Sequence, residues 1–241
     1  MRRKNYIFLP TVNHTGTWFV GAILHGGFGY FFRCYNTELK PPDTGIAIKP
    51  FLTVKEHLID MTMEEIVKVH ALLNKDDGCL MVVPVRDVLA AVISARRRNP
   101  RHLVLEIGFV LDGFMRLIKE FDQFNPFFFP IDLYLQPAER EQLLTSLEEA
   151  IGIEMGLVDD LDKKALAESW APRNEATDYC LRYLGSPCLE LKQAYEQKNI
   201  EYIKQELAEY WDRLIEMRPI LQPFFEKLGY SNLLWFGEEM K

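Results

Sequence analysis

The chain has only four cysteines, Cys34, Cys79, Cys180 and Cys188, and no two of them stand in C-x-x-C spacing. Zinc ribbons and dithiol redox sites need that spacing, so neither is indicated and no metal site is expected. So few thiols also suit a reducing compartment, where a packed core rather than disulfides holds the fold. No apolar run approaches the ~20 residues of a membrane-spanning helix. Met1-Arg2-Arg3-Lys4 has the charge of a signal-peptide start, but Asn13 to Gly16 interrupts the following apolar stretch and no small-residue cleavage site follows. The expectation is a cytoplasmic protein with no membrane partner. A formal net charge of −7 argues against nucleic acid as a partner, while leaving room for a local basic pocket. The chain contains no Gly-Lys pair and hence no G-x-x-x-x-G-K-[ST] loop, which counts against an ATPase or GTPase. It also lacks internal repeats and low-complexity tracts.

What the chain does have is 48% hydrophobic residues in a length of 241, enough for a substantial core. Tyr6 to Pro10 is an apolar run of strand formers leading into a polar turn, Thr11 to Gly16. Trp18 to His25 reads as a buried helix ended by Gly26-Gly27. Residues 28–50, aromatic and then rich in Pro and Gly, read as irregular. Phe51 to Ile59 is a strand candidate. Thr62 with Glu65 is a capping box that opens a helix over Met63 to Leu73. Cys79 to Val85 is continuously apolar, as suits a parallel strand covered on both faces. Helices over 87–94 and 102–121 follow, and then Phe127 to Leu133 as another apolar strand. Pro137 to Ile151 reads as a helix, with proline in its first turn and Gly152 past its end. The tail from Glu190 to Leu228 reads as two helices broken near Arg218-Pro219. This alternation gives an α/β fold, a mainly parallel sheet flanked by helices, with a helical C-terminal extension.

Ligands of such sheets bind beyond the carboxyl ends of the strands. The first strand-to-helix turn there is Asn13-His14-Thr15-Gly16-Thr17-Trp18. Backbone N–H groups at a helix start favour anions, and Gly16 permits close approach. Thr15 and Thr17 add hydroxyls, and His14 adds a ring donor. The plain alternative is an ordinary capped helix start. A second candidate is Arg86, which ends the best strand, with Ser94 eight positions on. An arginine there can give a phosphate two parallel hydrogen bonds. The plain alternative pairs Arg86 with Asp87 and leaves Ser94 as a helix-interior serine.

Together the two constellations resemble the PAPS-dependent sulfotransferases (PAPS, 3′-phosphoadenosine-5′-phosphosulfate). That family has a (Lys/Arg)-(Thr/Ser)-Gly-(Thr/Ser)-(Thr/Ser)-Trp loop after its first strand, and here His14-Thr15-Gly16-Thr17-Trp18-Phe19 stands in its place. His14 replaces the usual cation, and Trp18 occupies the second hydroxyl position. The resemblance implies that His14, Thr15, Gly16, Thr17 and Trp18 hold the 5′-phosphosulfate, and that Arg86 and Ser94 hold the 3′-phosphate. It implies a P-loop-like three-layer sandwich, with a cofactor-binding core over 1–152 and the helical extension over 153–241 as parts of one domain. Its strand, acidic residue and glycine-closed helix look like Phe127 to Gly152. An Arg-Lys-Gly closing segment has no counterpart beyond Arg173.

Cytosolic members carry Lys-Thr-His-Leu on a strand between these motifs, and Lys55-Glu56-His57-Leu58 lies in that interval. By resemblance His57 is the general base and Lys55 a charge stabiliser. Strand alternation puts both on one face. Glu38 and Glu56 are alternative bases, His70 falls on a helix, and His25 reads as helix-end structure. Arg96, Arg97, Arg98 and Arg101 form a basic cluster, read as a solvated helix end or as a further phosphate contact. The function implied is sulfuryl transfer from PAPS to a hydroxyl or amine of a small-molecule or carbohydrate acceptor, releasing 3′,5′-adenosine bisphosphate. The competing readings are a P-loop-like nucleotide kinase or NTPase and a non-catalytic nucleotide-binding protein of the same fold.

Overall fold

A computed structural model describes residues 3–13, 15–34, 52–74, 78–98, 103–134, 136–155 and 187–230. The run Tyr6–Thr11 forms β1, and the helix after the first turn, α1, spans Thr17–Phe28. Gly26 and Gly27 lie inside α1. The residue that ends it is Gly29, at φ 70°, which returns its N–H to the His25 carbonyl at 2.9 Å. A left-handed φ terminates a helix, and glycine inside a buried helix need not. Phe31–Cys34 is a strand, β2, where an irregular segment was expected, its backbone pairing in parallel register with residues 52–55. The rest of that segment, 35–51, lies outside the described residues.

Strand β3 spans Leu52–His57 and runs into a 3-10 turn, Leu58–Asp60. Helix α2, Met63–Leu73, starts at the expected capping box, with the Thr62 and Glu65 side chains each bonding the other's backbone N–H. A cap of this kind contributes about 1 kcal/mol. Strand β4 is Cys79–Val85, α3 is Val88–Arg98 and α4 is Leu103–Glu120. Strand β5 stops at Phe127–Pro130, and the expected continuation to Leu133 is instead a short helix, α5, Ile131–Tyr134. Pro130 has no N–H to extend the ladder. Helix α6, Pro137–Ile151, ends at Gly152 with φ 81°.

The described tail forms three helices, α7 (Pro187–Glu196), α8 (Ile200–Glu206) and α9 (Ala208–Lys227). The expected break at Arg218-Pro219 does not occur, since α9 passes through Pro219 and Pro223. Its buried stripe, Leu214, Met217, Leu221 and Phe225, outweighs the lost N–H bonds. The breaks fall at Lys198, which has φ 56°, and at Leu207.

The five strands are parallel in the order β2-β3-β1-β4-β5. Ile7 and Leu9 pack with Val20, Leu24 and Phe28 of α1 and with Leu147 and Ile151 of α6. Phe8, Val54, Val83 and Val85 face the other way, into a core shared with α2, α3, α4 and the tail helices. Each buried aliphatic or aromatic side chain there contributes on the order of 1.5–3 kcal/mol. The extension helices thus build one face of the same core. Because α1 leads left to β2 and the chain after β4 leads right to β5, the connections part between β1 and β4. A ligand crevice of an open α/β sheet forms at such a switch point. Among the described residues, no helix is long and apolar enough to cross a membrane.

Candidate functional site

Three features meet at the carboxyl edge of the sheet. The first is the turn after β1. Thr15 is buried and donates its hydroxyl to the Val12 carbonyl at 2.8 Å, so its proton is committed to folding the turn. Gly16 sits at φ 86° and is the N-cap of α1, with no side chain to satisfy the first-turn N–H groups. A Cβ on Gly16 would lie 3.0 Å from Ile131 Cδ1, so the turn lies flat on the start of α5. Thr17 is buried at the first helical position, and the Trp18 backbone follows it. His14 and the Trp18 side chain lie outside the described residues.

The second is a dyad on β3. Thr11 and His57 are register partners at the ends of β1 and β3. Lys55 Nζ lies 2.7 Å from His57 Nε2, and His57 Nδ1 lies 3.2 Å from Thr11 Oγ1. A lysine ammonium only donates, so Nε2 accepts from Lys55, and the neutral ring carries its proton on Nδ1, facing Thr11. Residues 53, 55 and 57 alternate away from Val54, whose side chain enters the core on the far face. The dyad therefore lies on the α1 face, as Leu9 does. Lys55 is 7% exposed, which ties its long side chain to this geometry. The end of β3 is held from behind by Arg116 of α4, which donates to the carbonyls of Leu58 and Met61 in the following turn.

The third is the end of β4. The alternation of β4, carried one residue beyond Val85, directs Arg86 to the α1 face as well. Against the larger effect of burial, the Arg86 charge lowers the Asp87 pKa, as the plain alternative expected, but no hydrogen bond joins the two side chains. Arg86 Nε lies 3.9 Å from Asp132 Oδ1 and is buried without a hydrogen-bond partner, while about a third of the side chain is exposed. Asp87 instead caps α3, accepting the Leu89 N–H at 3.0 Å and the Tyr195 hydroxyl. Asp132 Oδ2 accepts the Asp87 N–H at 2.7 Å and the Tyr230 hydroxyl at 3.1 Å. Burial raises the Asp87 carboxyl to about 6, the Tyr195 hydroxyl bond opposes the rise, and the Asp132 charge adds to it. Burial first, and then the adjacent carboxylates, push both tyrosine hydroxyls upward, so they stay protonated donors. Ser94 is half-buried on α3, roughly 9 Å of helical rise beyond Val88.

The structure thus brings Lys55, His57 and Thr11 together beside the Thr15-Gly16-Thr17 turn, with Arg86 across the switch point. Side chains of Glu56 and Arg96 to Arg98, and residues Glu38, Arg101 and Arg173, lie outside the description. His70 is on α2, edge-on to Phe124, and burial lowers its pKa. His25 donates from Nδ1 to the Tyr30 carbonyl and serves the end of α1. Burial pushes the Cys79 thiol up to about 12, which leaves it without thiolate character. Sequence reasoning missed Asp132, Tyr195, Tyr230 and Arg116. The one available signal was an acidic residue after the fifth strand.

Chemically, the edge offers a histidine whose free-base nitrogen is held by an ammonium, an open helix start and an underused guanidinium. That set suits an anionic ligand and proton transfer. No protein-family model matches the chain, and no curated protein matches it.

Proposed function

We propose that this chain is a sulfotransferase that takes a sulfuryl group from PAPS and transfers it to an acceptor hydroxyl or amine, within a P-loop-like three-layer sandwich. The observation that carries this reading is the Lys55–His57–Thr11 chain of contacts at the sheet edge, beside the uncapped α1 start. One observation suits the cofactor: the buried Arg86 Nε has no hydrogen-bond partner. In this reading the first-turn N–H groups of α1, with His14, Thr17 and Trp18, hold the 5′-phosphosulfate. Thr15 holds the turn itself. Arg86 and Ser94 take the 3′-phosphate.

When bound, the cofactor supplies the sulfuryl group: an O–S (or N–S) bond forms at the acceptor as the S–O bond to the 5′-phosphate breaks. Lys55 is drawn to the anionic group and releases His57 Nε2. The freed Nε2 accepts the acceptor's proton, and Thr11 keeps the ring oriented through Nδ1–H. Lys55 then stabilises charge on the transferring group, and positioning and electrostatics carry most of the rate.

One observation favours binding without transfer. Lys55 already occupies the nitrogen a base would use. The test is an incubation with sulfur-labelled PAPS and a panel of alcohols, phenols, carbohydrates and amines. Label on an acceptor, with matching 3′,5′-adenosine bisphosphate and loss of both in His57→Ala, is the expected result. Tight bisphosphate binding with no labelled product across the panel would favour the binding protein. Phosphorylation from ATP with Mg²⁺ would favour the kinase-like reading.

A further inference from the structure

Asp132 stands at the junction of three elements that are far apart in sequence. Its Oδ2 accepts from the Asp87 backbone N–H at the β4 end and from Tyr230, just past α9. The Tyr230 hydroxyl also lies 3.2 Å from the carbonyl of Val85, the residue before Arg86. Its Oδ1 is left facing Arg86 Nε at 3.9 Å. That Nε is buried with no hydrogen-bond partner, so an attraction of charges is what opposes its escape to water. About a third of the Arg86 side chain as a whole is exposed.

We propose that Asp132, anchored by Tyr230 of the helical extension, is a positioning residue that holds Arg86 with its open donors directed to a ligand phosphate. This rests on the sulfotransferase reading for the identity of that phosphate, the 3′-phosphate of the cofactor. It also gives the extension a function: its last described residue fixes the arginine that distinguishes a 3′-phosphorylated nucleotide from its 5′-monophosphate. A carboxylate rather than a neutral acceptor is needed at 132, because both hydrogen bonds to Oδ2 would survive in an amide and the charge facing Arg86 would not.

The experiment compares wild type, Asp132→Asn and Tyr230→Phe. For each it measures Kd for 3′,5′-adenosine bisphosphate and for 5′-AMP, and the solvent exchange of the Arg86 Nε proton by ¹⁵N NMR without ligand. In Asp132→Asn the preference for the bisphosphate should fall at least tenfold, with 5′-AMP affinity unchanged and Nε exchange at least tenfold faster. Tyr230→Phe should shift both in the same direction by a smaller factor, and it carries the test if Asp132→Asn does not fold. An unchanged preference and unchanged exchange in folded variants overturn the proposal and leave the sulfotransferase reading intact. If wild type shows no preference for the bisphosphate while Asp132→Asn still frees Arg86, the sulfotransferase reading and the assignment of the phosphate fall. The holding of Arg86 by Asp132 then stands.

Discussion

Lys55 and His57 stand two residues apart on one strand and are joined by a 2.7 Å hydrogen bond from Nζ to Nε2. Two residues is the period of a strand, so both side chains leave the same face, and the register with Thr11 closes the chain of contacts. His57→Ala should leave the Kd for 3′,5′-adenosine bisphosphate unchanged and lower kcat by about 10²–10⁴, the range of a positioned general base. Steady-state kinetics with an identified acceptor checks this. Full turnover would move the base to a glutamate.

Gly16 should be intolerant of even a methyl group. Its φ of 86° strains any L side chain, and Ile131 Cδ1 would lie 3.0 Å away. Gly16→Ala should cost about 1–2 kcal/mol from backbone conformation alone. Adding Ile131→Val removes the Cδ1 contact at 3.0 Å but keeps the Cγ1 contact at 3.1 Å, so it should recover only part of the contact penalty. Urea unfolding of both variants checks this.

Asp87 should make stability fall as pH rises. Its folded pKa of about 6 lies above the ordinary 3.8. Between those values the folded state holds a proton that the unfolded state has lost, so the stabilisation is full below the unfolded pKa and is lost as pH rises through about 6. The effect is on the order of 3 kcal/mol at most. The stability difference between wild type and Asp87→Asn, measured by urea unfolding from pH 4 to 8, should decline between about pH 4 and 6 and level off above about 6. A flat difference would contradict the burial argument.

Arg86 should not be replaceable by lysine. A guanidinium offers a planar fork to a phosphate and a lysine offers a point charge. Arg86→Lys and Arg86→Ala should each weaken bisphosphate binding at least tenfold while 5′-AMP affinity stays within a factor of two. Isothermal titration with both nucleotides checks this.

Much of the sheet edge was legible in the sequence because it is written locally. The β4 run, the Thr62–Glu65 box, the Gly16 turn and the Lys55–His57 spacing each need fewer than ten residues. What was not legible depends on contacts across the chain. Asp132 meets Asp87, Tyr195 meets Asp87, and Tyr230 meets Val85, and no local pattern joins them. Arg86 was weighed against its neighbour Asp87, whereas the carboxylate facing its Nε, Asp132, comes from α5. Pro219 was read as a break because local propensity was weighed without the buried stripe around it.

The most direct measurement is the melting temperature with 3′,5′-adenosine bisphosphate, with ATP and 5′-AMP as controls. At 100 times its Kd a ligand adds about 2.7 kcal/mol, or roughly 5–10 °C for a chain of this size. The account predicts a shift of that order with the bisphosphate and a much smaller one with either control. No shift, or an equal shift with ATP, would contradict it.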